Sequence, residues 1–398
     1  MKILCITSSY PRDEQDISGI FVRRWREELE ARGAKITLLT WRAPGAPEDA
    51  SEEGVYRVPY APRSRETLFY GAGAPENISR NPLLLGLAPA AIGAMLWRGA
   101  RMLARERFDR VVGHWLLPGG WIARVLGEMF DVPSMVVTHS GGIDMLRKLP
   151  TPINKGLARF LAAGEVTFVS NEAKARFAAS GVSPTASRIL PMGFDAFDIR
   201  EPAEGEDGSL ERTILSLGRL VPIKGIDDLI GAVARVDLPG VSLHIAGDGP
   251  ERERLEALAL RLGVSATFHG MAHGEAKRRL LERSRLSIFA SRAMEGRHEG
   301  LPVSFLECAS AGAYPLVAEL PGALPLLHDA GRQRLDPGRN LDRWAARIKE
   351  ELASSERSSA LYRARALAQR ELVIPLSWER LGIAWANALT QPSTFSRR

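Results

Sequence analysis

Apolar segments of strand length alternate with amphipathic helical segments along almost the whole chain, and this alternation restricts the possible folds more than any other feature. Residues 1–7 have an apolar strand pattern, residues 19–32 repeat apolar side chains with helical period, and residues 35–40 form a second strand pattern. This order predicts a βαβ unit and a parallel sheet. Because later strands are apolar almost throughout, helices should cover both sheet faces. We therefore expect an α/β, doubly wound fold.

The alternation occurs in two halves, which indicates two domains. Residues 202–209, PAEGEDGS, are acidic, contain glycine and lack bulky apolar side chains, as expected of a linker. A chain of 398 residues is long enough for two ordinary domains. We predict Rossmann-like domains over 1–200 and 201–375, followed by a C-terminal helix in 376–398. Ligands of such sheets bind beyond the carboxyl ends of the strands, so two facing domains would share a site in a deep cleft.

The composition is that of a soluble globular protein, with 45% apolar and 25% charged residues. The first residues lack the length and cleavage site of a signal peptide, so we expect a cytoplasmic protein. Cys5 and Cys308 are too few for a disulfide framework or a zinc site, and we expect both to be buried. The longest apolar stretch, 82–96, is followed by Trp97 and Arg98, which favours a buried or interfacial helix over a membrane span.

The chain carries a net charge of +6, and its basic residues concentrate in 23–32, 98–110 and 277–285. Solvated helix faces explain such clusters, and attraction to anionic lipid headgroups is the alternative. No recognised nucleic-acid module accompanies them, so nucleic acid is not an expected partner. The basic and apolar stretch 83–107 suits peripheral docking on an anionic membrane surface.

Two carboxylates separated by seven residues, Glu299 and Glu307, are the strongest chemical signal. Glu299 is predicted at a loop tip that enters a helix, with Glu307 about two turns into that helix. Carboxylates accept hydrogen bonds from the hydroxyls of a sugar or ribose. A helix-terminal acid and a surface glutamate are the structural alternative. Glu307 argues against it, because a carboxylate between Leu306 and Cys308 in an apolar helix needs a partner.

A second cluster, SLGRLVPIKG, follows an apolar strand and contains Gly218, Arg219 and Lys224. Arginine can bind phosphate oxygens in bidentate fashion and lysine acts as a point charge. A helix that begins near Gly225 would add the positive end of its dipole. Two exposed basic residues in a loop are the structural alternative.

Gly247 and Asp248, in the segment AGDGP, follow another apolar strand. Asp248 is expected to cap a helix that starts at Pro250, with proline in its first turn. A backbone contribution to a nucleotide site is the second interpretation, and the two are compatible.

The first half carries looser signals at its strand ends. Gly19 opens the first helix, where glycine lets the backbone approach a phosphate. His139 follows a strand and is a candidate for orienting a sugar or stabilising charge in the transition state; Asp144 follows in the same segment. His114 ends another strand and is consistent with either an acceptor site or a structural role. Residues 191–195 close the last strand and either line the cleft or form the domain exit.

The chain has no HExxH or CxxC motif and no Asp-x-Asp at a strand end, so we expect no catalytic metal. Positive side chains and helix termini would take the place of a cation at a diphosphate. Carboxylates for hydroxyls and cations for phosphates together predict a nucleotide-sugar co-substrate, with no other cofactor required.

These residues resemble the retaining GT-B glycosyltransferases of family 4, the glycosyl transferases of group 1. The resemblance covers nearly the whole chain and is most specific in SLGRLVPIKG, IAGDGP and EGLPVSFLECASAG. SGIFVRRW, HWLLPGG, THSGGID and PMGFD match more loosely. The family usually has Asn where Met192 stands. It often has a shorter loop before Glu299; here Glu295, Arg297 and His298 enlarge that loop, which we expect to tune donor choice.

The resemblance implies a donor site in the second domain. Arg219 and Lys224 would hold the diphosphate, Glu307 the ribose hydroxyls and Glu299 the sugar, and His139 would lie near the sugar as a further catalytic residue. The remaining implied donor contacts are Gly19, Gly218, Gly247, Asp248, Gly300, Leu301, Pro302 and Val303. His114 and Asp144 are the acceptor-site candidates of the first domain, toward which the C-terminal helix would cross back.

The implied reaction is hexosyl transfer from a UDP- or GDP-sugar to a hydroxyl, with retention and with the leaving phosphate assisting deprotonation of the acceptor. The acceptor would be a glycan or a lipid-linked molecule, in polysaccharide, lipopolysaccharide or glycolipid synthesis. An epimerase or a sugar phosphorylase on the same fold is an alternative, as is a non-catalytic protein that binds sugar or membrane. An epimerase would convert donor without acceptor, and a phosphorylase would depend on inorganic phosphate.

Overall fold

The structure is a computed structural model, and it describes residues 1–13, 16, 18–45, 52–70, 73–147, 149–199, 212–294, 299–353 and 360–391. The chain forms two compact units, one of Met1–Gly193 with Trp378–Arg398 and one of Phe194–Ser377. The linker predicted at 202–209 lies outside the described residues.

The described part of the first unit contains a seven-stranded parallel sheet in the order β3-β2-β1-β4-β5-β6-β7. Its strands are β1 (Lys2–Thr7), β2 (Lys35–Trp41), β3 (Val55–Val58), β4 (Arg110–His114), β5 (Ser134–Thr138), β6 (Glu165–Phe168) and β7 (Ala186–Ile189). In β1, the four residues from Ile3 to Ile6 are all 0% exposed. Because successive side chains of a strand point to opposite faces, both faces of this sheet are covered, as the apolar strand pattern predicts.

The edge strand β3 is not predicted by the sequence pattern. Its four residues, VYRV, are too few to show a period and include an arginine. The strand is held by parallel pairing with β2, from Leu38 with Val55 to Trp41 with Val58. Val55, Tyr56 and Val58 favour a strand, but the pairing with β2 decides that this short segment joins the sheet.

Helices connect these strands, and those expected at 19–32, at 119–130 and from Asn171 are confirmed with slightly different ends. The helices are α1 (Ile20–Glu30), α2 (Ala74–Arg80), α3 (Ala88–Arg105), α4 (Trp121–Phe130), α5 (Ser140–Arg147), α6 (Thr151–Ala162) and α7 (Asn171–Ala178). Short 3₁₀ turns cover Arg63–Arg65 and Pro82–Leu87, and a π-turn covers Leu116–Gly120.

The described part of the second unit contains a five-stranded parallel sheet in the order β10-β9-β8-β11-β12. Its strands are β8 (Thr213–Leu217), β9 (Ser242–Ala246), β10 (Ala266–Gly270), β11 (Leu286–Phe289) and β12 (Tyr314–Val317). Its helices are α8 (Ile226–Val233), α9 (Arg252–Arg261), α10 (Gly274–Arg283), α11 (Val303–Ser310), α12 (Ala330–Gln333), α13 (Leu341–Ala353) and α14 (Ala360–Val373). Both cysteines are buried, as predicted.

The last helix, α15 (Trp378–Thr390), belongs to the first unit, although it follows the second in sequence. The Trp385 ring lies edge-on to the Trp25 ring of α1, with centroids 6.0 Å apart. Its indole N–H donates to the Pro191 carbonyl at 3.0 Å. The apolar face of the C-terminal helix therefore completes the core of the N-terminal unit.

The apolar stretch around 82–96 forms a 3₁₀ turn followed by α3, and of the two expectations, a buried or an interfacial helix, the buried one is wrong for most of it. Leu83 is 86% exposed and Trp97 is 61% exposed. By length and composition, Pro82–Arg105 is the one segment in the described part of the chain that could cross a membrane, and 17% of its most apolar window is buried. An apolar segment with this exposure is typical of an interaction surface.

Candidate active site

The strand order of the second sheet reverses between β8 and β11, and ligands of open parallel sheets bind at such a reversal. The two strands pair at Ile214 with Leu286 and at Leu215 with Ser287, and both continue past these pairs. A small cavity lies at their carboxyl ends, and Gly218, Lys224 and Ser291 are among its lining residues. The topology therefore brings the predicted phosphate-binding segment and the segment before Glu299 to one point.

Glycines allow the turns after β8 and β9 to touch. A Cβ on Gly247 would lie 1.8 Å from the Gly218 carbonyl oxygen, and one on Gly249 would lie 2.3 Å from that of Leu220. The Leu220 amide also donates to the Asp248 carbonyl at 2.9 Å. Since any other side chain would push the two turns apart, the glycines of GDG set the shape of the site.

The predicted capping role of Asp248 is wrong. The helix begins at Arg252 with Glu251 at the N-cap position, and no side chain caps it. Asp248 is exposed, and its carboxylate accepts from the neighbouring Gly249 amide at 2.8 Å. A short local bond of this kind stabilises the turn itself.

Lys224 and Glu299 form an ion pair 75 residues apart in sequence, with side chains 15% and 16% exposed. The other carboxylate oxygen of Glu299 accepts from the Ser291 hydroxyl. Lys224 ends a 3₁₀ turn, Pro222–Lys224, and Gly225 follows at a φ of 62°, which turns the chain into α8. One half-buried group therefore combines a cation suited to phosphate with a carboxylate suited to sugar hydroxyls.

Arg219 is exposed and has no ion-pair partner among the described residues, so its guanidinium is accessible to an anion. Helix α8 begins at Ile226, directly after Gly225, and its first turn carries two carboxylates. Asp227 and Asp228 occupy it and pair with Arg292 and Arg339. These carboxylates bring negative charge to the first turn, although no side chain caps the helix, so Arg219 and Lys224 are the positive side chains available for a phosphate here.

Glu307 lies in the second turn of α11 and is 7% exposed. Its Oε1 accepts from the Lys277 ammonium of α10 at 2.5 Å. Burial raises the pKa of Glu307, the charge of Lys277 lowers it, and Asp195 raises it further. Lys277 is therefore the partner that a carboxylate in this apolar helix requires.

The segment between the two glutamates leads into α11, and no side chain caps that helix. Gly322 supports the segment, since a Cβ there would lie 2.9 Å from the Leu301 nitrogen. Pro302 has no N–H, so the amides of Gly300, Leu301 and Val303 are the donors that this segment can offer.

In the first unit, His114 and His139 lie together at the ends of β4 and β5, with Nδ1 and Nε2 3.3 Å apart. His139 is 8% exposed and contacts the rings of Phe21 and Trp115, with centroids 4.9 and 4.5 Å away. His114 is 0% exposed and packs on Trp25. Since His114 has no exposed surface and its ring contacts His139, its burial favours the structural role of the two that the sequence left open.

Both imidazoles are neutral at pH 7. Burial lowers the pKa of His139 to about 3. Burial and the charge of His139 lower the pKa of His114 well below its ordinary value. A neutral His139 can orient a hydroxyl by hydrogen bonding, whereas a positive charge for the transition state is not available from it at neutral pH.

The backbone around this histidine pair is unusual at two residues. Trp115 has a φ of 69°, a conformation that costs about 1–3 kcal/mol in a non-glycine residue. Its amide donates to Val137 at 2.9 Å and its carbonyl accepts from Gly120 at 2.7 Å, which holds the ring beside His139. Gly19, with a φ of 73°, would place a Cβ 2.3 Å from the Ser9 carbonyl, so only glycine fits there.

Several predicted residues lie outside the described part of the structure. Asp144 belongs to α5, but its side chain is among those not described. Glu295, Arg297 and His298, the enlarged loop before Glu299, also lie outside the described residues.

Two polar residues of this site were missed by sequence reasoning. Lys277 falls in a basic helical cluster that resembles a solvated face, and Ser291 follows a strand without a motif. A single carboxylate in an apolar helix indicates that some partner must neutralise it, but the sequence does not identify the residue that does so. Among the described residues, no group of three or more His, Cys, Asp and Glu side chains is arranged to hold a metal ion.

Two family descriptions match the chain. Residues 18–193 match the glycosyl transferase 4-like domain, and residues 200–367 match glycosyl transferases group 1. A curated relative, the GDP-mannose-dependent alpha-(1-6)-phosphatidylinositol monomannoside mannosyltransferase of Mycobacterium tuberculosis, is 30% identical over 90% of this chain and 91% of that protein.

Solved structures are similar in fold across nearly the whole chain. Sucrose-phosphate synthase from Thermosynechococcus elongatus has a TM-score of 0.70 and 18% identity, covering 98% of each chain. Anabaena HepE in complex with UDP has a TM-score of 0.69 and 16% identity, covering 98% of this chain and all of that one.

Proposed function

Because the chain belongs to the group 1 glycosyltransferases of the GT4 type, we propose that it transfers a hexosyl unit from a UDP- or GDP-sugar to a hydroxyl with retention of configuration. Enzymes of this type have the GT-B fold and use nucleotide-sugar co-substrates. The observation that carries the proposal is the Lys224–Glu299 pair beside Gly218 and the accessible Arg219.

In this proposal the two cations bind the diphosphate, and Glu299 accepts hydrogen bonds from the hydroxyls of the donor sugar. Stabilisation of charge that develops on a leaving phosphate is the main way in which such groups accelerate transfer. The bond between the anomeric carbon and the phosphate oxygen breaks as the acceptor oxygen bonds on the same face. The leaving phosphate takes the acceptor proton, and His139 orients a hydroxyl as a neutral group.

We propose that residues 201–375 form the donor domain, that 1–200 form the acceptor domain, and that 376–398 return to the latter. GDP-mannose is the donor to test first, because the mannosyltransferase relative at 30% identity is named for it. The acceptor in this proposal is a glycan or a lipid-linked hydroxyl.

The experiment is calorimetric titration of the full chain with GDP, UDP, ADP and GDP-mannose in EDTA. Micromolar binding of GDP or UDP to the wild type, lost in Arg219→Ala, is the expected result. Donor turnover that needs a hydroxyl acceptor, with the product anomer assigned by NMR, then tests transfer and retention. Conversion of donor without acceptor, or an inverted product, would overturn the respective part of the proposal.

We also propose that the enzyme works in the cytoplasm and docks peripherally on the inner face of an anionic membrane through Pro82–Arg105. Exposed Leu83 and Trp97 support insertion at the interface, and Arg98, Arg101 and Arg105 lie on the same helix. Each basic residue near an anionic surface contributes about 1 kcal/mol, so replacing all three by glutamine should reduce vesicle binding on the order of 100-fold.

Sedimentation with anionic vesicles at low and high salt checks this docking. The matched control replaces Arg252, Arg278 and Arg279, arginines that form surface ion pairs in the second unit. Equal losses in the two triple variants would contradict a specific docking face.

A further inference from the structure

Glu307 lies where a carboxylate is costly. Its neighbours Phe305, Leu306, Cys308 and Ala309 are all buried, and Glu307 itself is 7% exposed. A charge in such surroundings persists only with a partner, and otherwise the group takes up a proton and becomes neutral. Glu307 is also the residue assigned above to the ribose hydroxyls, a task that needs an acceptor of hydrogen bonds.

The partner comes from a different helix. Lys277, in the first turn of α10, reaches Glu307 Oε1 at 2.5 Å, and its side chain is 22% exposed. Among the described residues, no hydrogen bond engages Glu307 Oε2, and this oxygen is not among the buried polar atoms without a partner. One oxygen is therefore held by the lysine, and the other retains access to solvent.

The charges around this pair leave Lys277 as the cation that acts on Glu307. Asp195, from the start of the second unit, opposes ionisation of Glu307 and raises its pKa. The thiol of the neighbouring Cys308 is neutral at pH 7, because burial raises its pKa to about 12. Without Lys277, burial and Asp195 would both favour the protonated acid.

We propose that Lys277 is a positioning residue of the nucleotide site, which holds Glu307 deprotonated and occupies its Oε1 so that Oε2 faces the ribose hydroxyls. The inference rests on the proposed function and adds a residue that no motif of the chain identifies. A salt bridge of this kind fixes the rotamer of the carboxylate as well as its charge, so its loss weakens recognition even though the lysine touches no substrate.

A double-mutant cycle separates this role from a direct contact between Lys277 and the nucleotide. Calorimetry at pH 6, 7.5 and 9 measures the affinity for the nucleoside diphosphate that binds the wild type. The proteins compared are the wild type, Lys277→Met, Lys277→Arg, Glu307→Gln and the double variant Lys277→Met/Glu307→Gln. Lys277→Met should bind at least tenfold more weakly at pH 7.5, and its affinity should increase with pH more steeply than that of the wild type, because a higher pH favours the ionised carboxylate. Lys277→Arg should bind close to the wild type.

The double variant should bind like Glu307→Gln alone, because a residue that acts only through Glu307 has no effect once the carboxylate is gone. The 2′,3′-dideoxy nucleotide should bind equally to the wild type and to Lys277→Met. Additive losses in the double variant would instead indicate a direct contact and overturn the proposal.

The outcomes also distinguish this inference from the proposed function. A wild type that binds GDP or UDP together with a Lys277→Met variant of unchanged affinity and pH dependence overturns the role of Lys277 alone. A wild type that binds no nucleotide overturns both. If Lys277→Met does not fold, two comparisons remain. The double variant leaves no unpaired buried charge and is compared with Glu307→Gln, and Lys277→Arg is compared with the wild type.

Discussion

The two units have the same architecture but arrange their polar groups differently at the strand ends. In the second unit, charges meet in pairs: Lys224 with Glu299, and Lys277 with Glu307. In the first unit, His114 and His139 lie among Phe21, Trp25 and Trp115, and both imidazoles are neutral. The comparison indicates that the second unit is suited to a charged ligand, whereas the first offers neutral imidazole groups among aromatic rings.

The largest expected effect comes from removing the charge pair of the second unit. Lys224→Met and Glu299→Gln should each lose at least about 2 kcal/mol of transition-state stabilisation, roughly 30-fold in kcat/KM, because each removes one electrostatic contact. Steady-state transfer assays measure this. The control is Lys349→Met, which breaks an exposed pair with Asp237 and should stay within a factor of two. Full activity in both site variants would show that the charge pair of the second unit does not take part in the reaction.

A smaller effect is expected where both units depend on glycine. Gly247→Ala would place a Cβ 1.8 Å from the Gly218 carbonyl, and Gly113→Ala would place one 2.4 Å from that of Gly119. Each overpacked site should cost about 1–3 kcal/mol of the free energy of unfolding, measured by denaturant titration. Only Gly247→Ala should also weaken nucleotide binding, since its turn lies in the second unit.

The control for these two variants is Gly156→Ala in α6, where a Cβ would meet no atom within 4 Å. This change should be neutral or stabilising, because alanine favours a helix over glycine. If Gly113→Ala reduces nucleotide affinity as much as Gly247→Ala does, the division between the units is wrong.

The effect that is smallest at neutral pH is a pH dependence confined to the first unit, which develops only on acidification. His139 and His114 have folded-state pKa values below the unfolded value, so the unfolded state binds protons more readily. Their contribution to stability is therefore complete above about pH 6.5 and is lost progressively as the pH falls below it, because the unfolded chain takes up protons that the buried pair excludes.

Urea unfolding at a series of pH values, followed by tryptophan fluorescence, measures this slope. His114→Phe should lose stability less steeply below pH 6.5 than the wild type does. His328→Gln, a change at an exposed residue of the second unit, should leave the slope unchanged. A slope that is equal in all three proteins would show that the buried pair does not titrate in this range.

The sequence predicted the parallel architecture well, because continuous apolar strands require covering on both faces whatever their neighbours are. It also predicted that Glu307 needs a partner, since the surrounding residues are apolar. It did not predict β3, whose four residues show no period, or the burial of His114, because a histidine at a strand end is equally consistent with a surface. Asp248 was misjudged because a local bond to Gly249 competes with capping.

By itself, the sequence determined two α/β units and the types of side chain that suit phosphates and hydroxyls, because periodicity and side-chain type are local properties. Only the tertiary structure decided which charges meet. Lys224 finds Glu299 across 75 residues, and Lys277 finds Glu307 across 30. These pairs form because parallel crossovers bring strand ends and helix starts together at one edge of a sheet, a proximity that depends on strand order and not on spacing in the chain.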